Sequence, residues 1–141
     1  MLNDGLKLTG KLTIALNDEI VQEVPNLVVT AGKGYVASRM KDTSATAMSH
    51  MAIGTGSTAA AAGNTALGSE SARTALTSTT VSGADIVYVD TFAAGTGTGA
   101  ITEAAILNAS YGGTMLCRTV FSVVNKGAND AMTITWTVTV S

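Results

Sequence analysis

The chain has 141 residues, of which 46% are hydrophobic but only 13% charged and 4% aromatic; that length fits a single domain, residues 1–141, with room for a sizeable core. Disorder is excluded, because disordered chains combine low hydrophobicity with high net charge, and the single cysteine, Cys117, excludes a disulfide scaffold. A net charge of −2 and a pI near 5.1 leave no cationic excess for a phosphate backbone, so no direct nucleic-acid partner is expected.

The opening Met1-Leu2-Asn3-Asp4-Gly5 has no basic segment leading into a long apolar run, so no signal peptide is expected. No apolar stretch reaches the ~20 residues of a membrane span, and no membrane partner is expected. Leu6, Leu8, Leu12, Ile14 and Leu16 repeat with a period of two, the mark of a strand. Asn17-Asp18 is a hairpin turn, and Glu19 to Val24 is the returning strand, ended or edged by Pro25. After Leu27-Val28-Val29, the spacing of Tyr35 with Arg39 and of Val36 with Met40 predicts a short helix over 30–41, capped by Thr30. Gly32 and Gly34 each weaken that helix by about 1 kcal/mol against alanine, so it needs tertiary support.

Met48 to Ile53 reads as a strand, followed by a long loop of small residues over 54–68. Hairpins are predicted from Ala75–Val81 with Ile86–Phe92 around Gly83, and from Ile101–Leu107 with Thr114–Val123 around Tyr111-Gly112-Gly113. A second Gly/Thr loop lies at 94–99 and a turn at 125–130. In Met132 to Val140, Ile134, Trp136, Val138 and Val140 alternate with four threonines. About eight short strands and one helix predict an antiparallel β-sandwich, jelly-roll-like.

Residues that could carry chemistry are few. His50, the only histidine, sits between methionines without a Gly-x-Ser-x-Gly elbow, and reads as a packed or edge residue. With one histidine and one cysteine, a four-ligand zinc site within one chain is not possible. Cys117 reads as a small buried hydrophobe. Gly54-Thr-Gly56 and Gly95-Thr-Gly97-Thr-Gly99 superficially resemble phosphate-binding loops but lack the Gly-Lys-Ser/Thr ending and a following helix. Asp85, Asp90 and Glu103 are too scattered for a calcium loop or a carboxylate pair, and Asn108-Ala109-Ser110 reads as a turn. No catalytic residue, metal or cofactor is therefore expected.

The run Met51-Ala-Ile-Gly-Thr-Gly-Ser-Thr-Ala-Ala60, then Thr65-Ala-Leu-Gly-Ser-Glu-Ser-Ala-Arg73, resembles small structural proteins of tailed bacteriophages. So do Gly99-Ala-Ile-Thr-Glu-Ala-Ala-Ile-Leu-Asn108, Gly113-Thr-Met-Leu-Cys-Arg-Thr-Val-Phe121 and the terminal Thr/Val strand. The resemblance spans about residues 50–140. It implies a virion protein made in the host cytoplasm, most simply a head decoration (cement) protein on the major capsid protein. A tail, adaptor or fibre component is the first alternative and a receptor- or glycan-binding module the second.

Composition points the same way. Threonine and alanine, 22 each, stand where lysine and glutamate usually do, and mean hydropathy is +0.34. The surface is either a Thr-rich sheet face or one covered by other subunits, and the second reading predicts a homo-oligomer, dimer or trimer. Gly54, Thr55, Gly56, Ser57 and Thr58, with Gly95, Thr96 and Gly97, are the candidate contact residues, because small residues allow close backbone approach. If Leu107 faces Thr114, Glu103 falls opposite Arg118, Ile101 beside Val120 and Ala105 beside Leu116, so the charges pair on one face and exchanging them should preserve the pair. Ile134, Trp136 and Val138 are expected in the core.

Overall fold

The computed structural model describes residues 5–41 and 46–141; the opening residues 1–4, read above as carrying no signal peptide, lie outside it. Ten strands and one helix follow in order: β1 Leu8–Leu16, β2 Glu19–Pro25, β3 Leu27–Val28, α1 Thr30–Lys41, β4 His50–Gly54, β5 Glu70–Ala75, β6 Ser78–Ser82, β7 Asp85–Phe92, β8 Gly99–Leu107, β9 Met115–Lys126 and β10 Met132–Val140. They form two antiparallel five-stranded sheets, ordered β2-β1-β10-β7-β6 and β3-β9-β8-β4-β5. The all-β sandwich is thus the fold class expected. The predicted strand over 75–81 corresponds to β6, with Ala75 instead ending β5, a strand over 70–75 in the other sheet that the sequence reading did not assign.

Local chemistry explains the path. Asn17 and Asp18 both take positive φ, as a two-residue type I′ turn requires. Pro25 ends β2, an edge strand, and after Asn26 the chain changes sheets into β3. Helix α1 has the predicted bounds, but its first backbone bond runs from Lys33 N–H to Val29 C=O, which places Val29 rather than Thr30 at the cap. The Thr30 N–H instead bonds Ala62 C=O in the 55–69 loop. Gly32 is needed where α1 meets β9: a β-carbon there would lie 2.1 Å from the Leu116 carbonyl oxygen.

The main core lies between the sheets, built from Leu12, Ile14, Met51, Ile53, Phe92, Ile101, Ile106, Phe121, Ile134 and Trp136 among others. Ile134, Trp136 and Val138 are buried while Thr133, Thr135 and Thr137 stand on the opposite face, as the alternation predicts. A second apolar cluster of Val29, Ala52, Leu67, Ala105, Leu107 and Met115 lies on the other face of the β4–β8–β9 sheet. Leu67 from the loop and Val29 beside α1 cover it, so both faces of this sheet are dry.

No described helix is long and apolar enough to cross a membrane. Replacing Trp136 with alanine should lower unfolding free energy by about 3–5 kcal/mol, measurable by denaturant titration; unchanged stability would contradict its place in the core.

Candidate functional site

The β8–β9 hairpin brings Glu103 and Arg118 together, but not in the expected register. Leu107 faces Met115 rather than Thr114, and a bulge between Ile106 and Leu107 adds a second one-residue offset. Glu103 therefore lies opposite Val120 and Arg118 opposite Ala105, a diagonal pair, while Ile101 faces Val124. A single slip would have sent the charges to opposite faces; two restore the shared face. The ion pair measures 2.9 Å between Arg118 Nη2 and Glu103 Oε1, and both side chains are buried.

The loop over 55–69 closes on this pair. Glu103 Oε1 accepts from Gly68 N–H at 2.8 Å and from Arg118 Nε and Nη2; Oε2 accepts from the N–H groups of Gly56 and Ser69, each at 2.7 Å. Arg118 also donates from Nη1 to Asn64 Oδ1 and from Nη2 to the Thr58 carbonyl. Thr102 Oγ1 donates to the Gly56 carbonyl, and Asn64 turns the chain by accepting from Ala61 N–H. A β-carbon at Gly56 would lie 2.4 Å from Glu103 Oε2, and one at Gly54 would lie 2.7 Å from it. Gly56 thus lets backbone reach a carboxylate of the protein itself, whereas a β-carbon at Gly54 would meet the Ser69 backbone carbonyl first, at 2.3 Å, so Gly54 makes room for the returning end of the loop.

Electrostatics follow from this geometry. Burial alone would raise the Glu103 carboxyl, but the N–H groups of Ser69 and Gly68, Arg118 and the Gly56 N–H outweigh it, and the pKa lies below its ordinary value. Five donors occupy an acceptor with about four lone-pair sites, so the carboxylate is saturated and its role is to hold the loop.

The two candidate contact segments emerge at the same end of the sandwich. Gly97, at positive φ, would place a β-carbon 2.5 Å from the Ile53 side chain, next to Gly54 where the larger loop begins. Thr55, Ser57, Thr58 and Gly95 are exposed, Gly56, Thr96 and Gly97 half-buried, and Gly54 buried. The buried Lys126 supports this end by donating from Nζ to the Ala93 carbonyl. At the far end, Arg73 pairs with Glu70 and donates to the Ala109 and Gly112 carbonyls, which fixes the turn bearing the exposed Tyr111. Asn64, Gly68, Ser69 and Arg73 were not singled out from the sequence; Gly68, Ser69 and Arg73 are marked only by their place in the quoted Thr65–Arg73 run, and Asn64 only by lying in the 54–68 loop.

Among the described residues, no group of three or more His, Cys, Asp or Glu side chains is placed to hold a metal ion. His50 is half-buried with Nδ1 2.7 Å from Ser49 Oγ. Cys117 is buried, and burial pushes its thiol well above the usual range. The chain matches no family model, no curated protein and no solved structure.

Among the described residues, Asp90 is the other buried carboxylate. It points from β7 toward β5, where it accepts hydrogen bonds from Thr74 and Thr77. Burial pushes its pKa up to about 6, against the lowering effect of Thr74, the Thr91 N–H and Thr77.

Two predictions follow from these carboxylates. Exchanging Glu103 and Arg118 should not rescue stability, because a guanidinium would then face three N–H donors. Glu103→Gln and Arg118→Met should each cost about 3–5 kcal/mol, with the double variant costing less than their sum; additivity in a double-mutant cycle would refute the coupling. For Asp90, a raised folded pKa favours the fold at low pH, and that contribution is lost as pH rises from about 4 to about 6. Relative to wild type, Asp90→Asn should therefore gain up to about 3 kcal/mol between pH 4 and 7, read from urea unfolding at each pH.

Proposed function

We propose that the protein is a structural component of a tailed-bacteriophage virion, a head decoration protein that self-associates and clamps neighbouring capsid subunits. The observation that carries this reading is the pinned 55–69 loop: Glu103 and Arg118 spend their charges inward to hold it, and it presents Thr55, Ser57 and Thr58 outward. A loop ordered before binding loses less conformational entropy on docking. Its neutral surface brings no unpaired charge into a subunit contact. The 93–98 loop adds a second small-residue segment at the same end.

Sheet faces suit such a role too. Across β1, β10 and β7, Thr9 faces Thr139, Thr13 faces Thr135 and Thr133 faces Thr91, which gives a hydroxyl-rich face whose charges, Lys11 with Glu23 and Asp85 with the Thr139 hydroxyl, are each partnered within the chain. A glycan-binding module is less well supported. Phe92, Phe121, Tyr88 and Trp136 are buried and Tyr35 is half-buried, leaving Tyr111 as the one strongly exposed aromatic ring.

The test is addition of the purified protein to expanded, empty heads that lack it. Wild type should bind in hundreds of copies, and Ser57→Arg should bind at least tenfold more weakly with unchanged melting temperature. Binding to tails but not heads would replace the head role with the tail one, and binding to neither would end the virion reading.

A further inference from the structure

Two open sheets leave four edges, β2 and β6 on one and β3 and β5 on the other. An edge strand offers unpaired backbone groups to any added strand, and proteins block this with charge, proline, bulges or short length. Strand β2 carries Glu19 and Glu23, ends in Pro25, and faces a register shift at Ile14/Ala15. Strand β5 carries the Glu70–Arg73 pair and a shift opposite Ile53/Gly54. Strand β3 has only two residues. Strand β6, Ser78-Thr79-Thr80-Val81-Ser82, has none of these devices: it is uncharged, lacks proline, keeps an unbroken register with β7, and is exposed at every residue. Among the described residues only β7 pairs with it.

We infer that β6 is the self-association edge, and that two copies pair these strands antiparallel about a two-fold axis at Thr80. The inference deepens the self-association part of the reading above and does not depend on the capsid part. The sequence of β6 suits its own reverse. Thr80 meets Thr80 of the second copy, Thr79 meets Val81, and Ser78 meets Ser82, so every facing pair is neutral and the central ones are β-branched. The same midpoint operation on β2, about Gln22, would set Glu19 opposite Pro25 and Glu23 opposite Val21 at both ends, charged or proline positions where β6 has matched neutral ones.

The side-chain faces agree. Thr79 lies beside Tyr88 and Val81 beside Ile86, the side that turns toward α1, where Tyr35, Val36 and Met48 complete a groove of about 350 Å³. Val81 is nevertheless 70% exposed, because nothing packs over the edge. In the two-fold pair the two Val81 side chains become diagonal neighbours and the two grooves meet along one face. The product is a closed dimer with one continuous sheet, ordered β2-β1-β10-β7-β6 and then its reverse.

Sedimentation of the full chain at high concentration tests this. Wild type should be a dimer. Thr80→Lys and Thr80→Glu should each be folded monomers with the circular-dichroism spectrum of wild type, because like charges then meet at the axis; their melting temperature should lose the concentration dependence that the dimer gives wild type. An equimolar mixture of the two should regain the dimer. A wild-type monomer would overturn the inference together with self-association. Dimers of either charged variant alone would overturn the β6 edge while leaving self-association through another face. Binding to empty heads is read separately and bears only on the capsid reading.

Discussion

A carboxylate taken out of water must be repaid in hydrogen bonds, and much of this structure is arranged around meeting that demand for Glu103. Three backbone N–H groups and a guanidinium supply it. To bring them there, the chain leaves β4, runs over the outer face of the sheet and returns into β5. Glycine is required at 56 because the carboxylate stands where a side chain would be, and at 54 because the Ser69 carbonyl of the returning loop does. Leu67 fills the apolar patch next to the ion pair, and Arg118 reaches across to Thr58 and Asn64. A long loop is thereby as firmly defined as a strand, although it has neither the pattern nor the pairing of one.

The second buried carboxylate meets its demand differently. Asp90 has two hydroxyl donors and the Thr91 N–H but no ion-pair partner among the described residues, so burial prevails and its pKa rises, whereas that of Glu103 falls. The contrast separates two functions of position. Glu103 holds a loop to a sheet, and Asp90 sits where Leu76 and Thr77 carry the chain from one sheet to the other. Polar side chains at both places fix geometry that apolar packing alone would leave adjustable.

Alternation made the sandwich legible: Leu12 and Ile14 in β1, and Ile134, Trp136 and Val138 in β10, bury the faces their spacing assigns. Turn chemistry was equally readable at Asn17-Asp18 and Pro25. The 75–81 segment was not, since a run of small and β-branched residues carries no sign of where a chain changes sheets. The cap of α1 was missed because Thr30 has a good capping side chain, yet its N–H is used by a loop 32 residues later in the chain. In the site, the Glu103–Arg118 pairing was readable from parity alone, which survives two offsets. The partners of that pair were not, because backbone N–H groups belong to every residue and leave no mark in sequence except the glycines that let them approach.

The clamp on the loop uses backbone atoms at Gly56, Thr58, Gly68 and Ser69, and one side chain at Asn64. Thr55, Ser57 and Thr58 contribute no side-chain atom to it. Form and surface are therefore encoded by different residues of one segment. Mutation can change what the loop displays without altering how it is held, so the segment is a place where a short peptide can be grafted at little cost to folding.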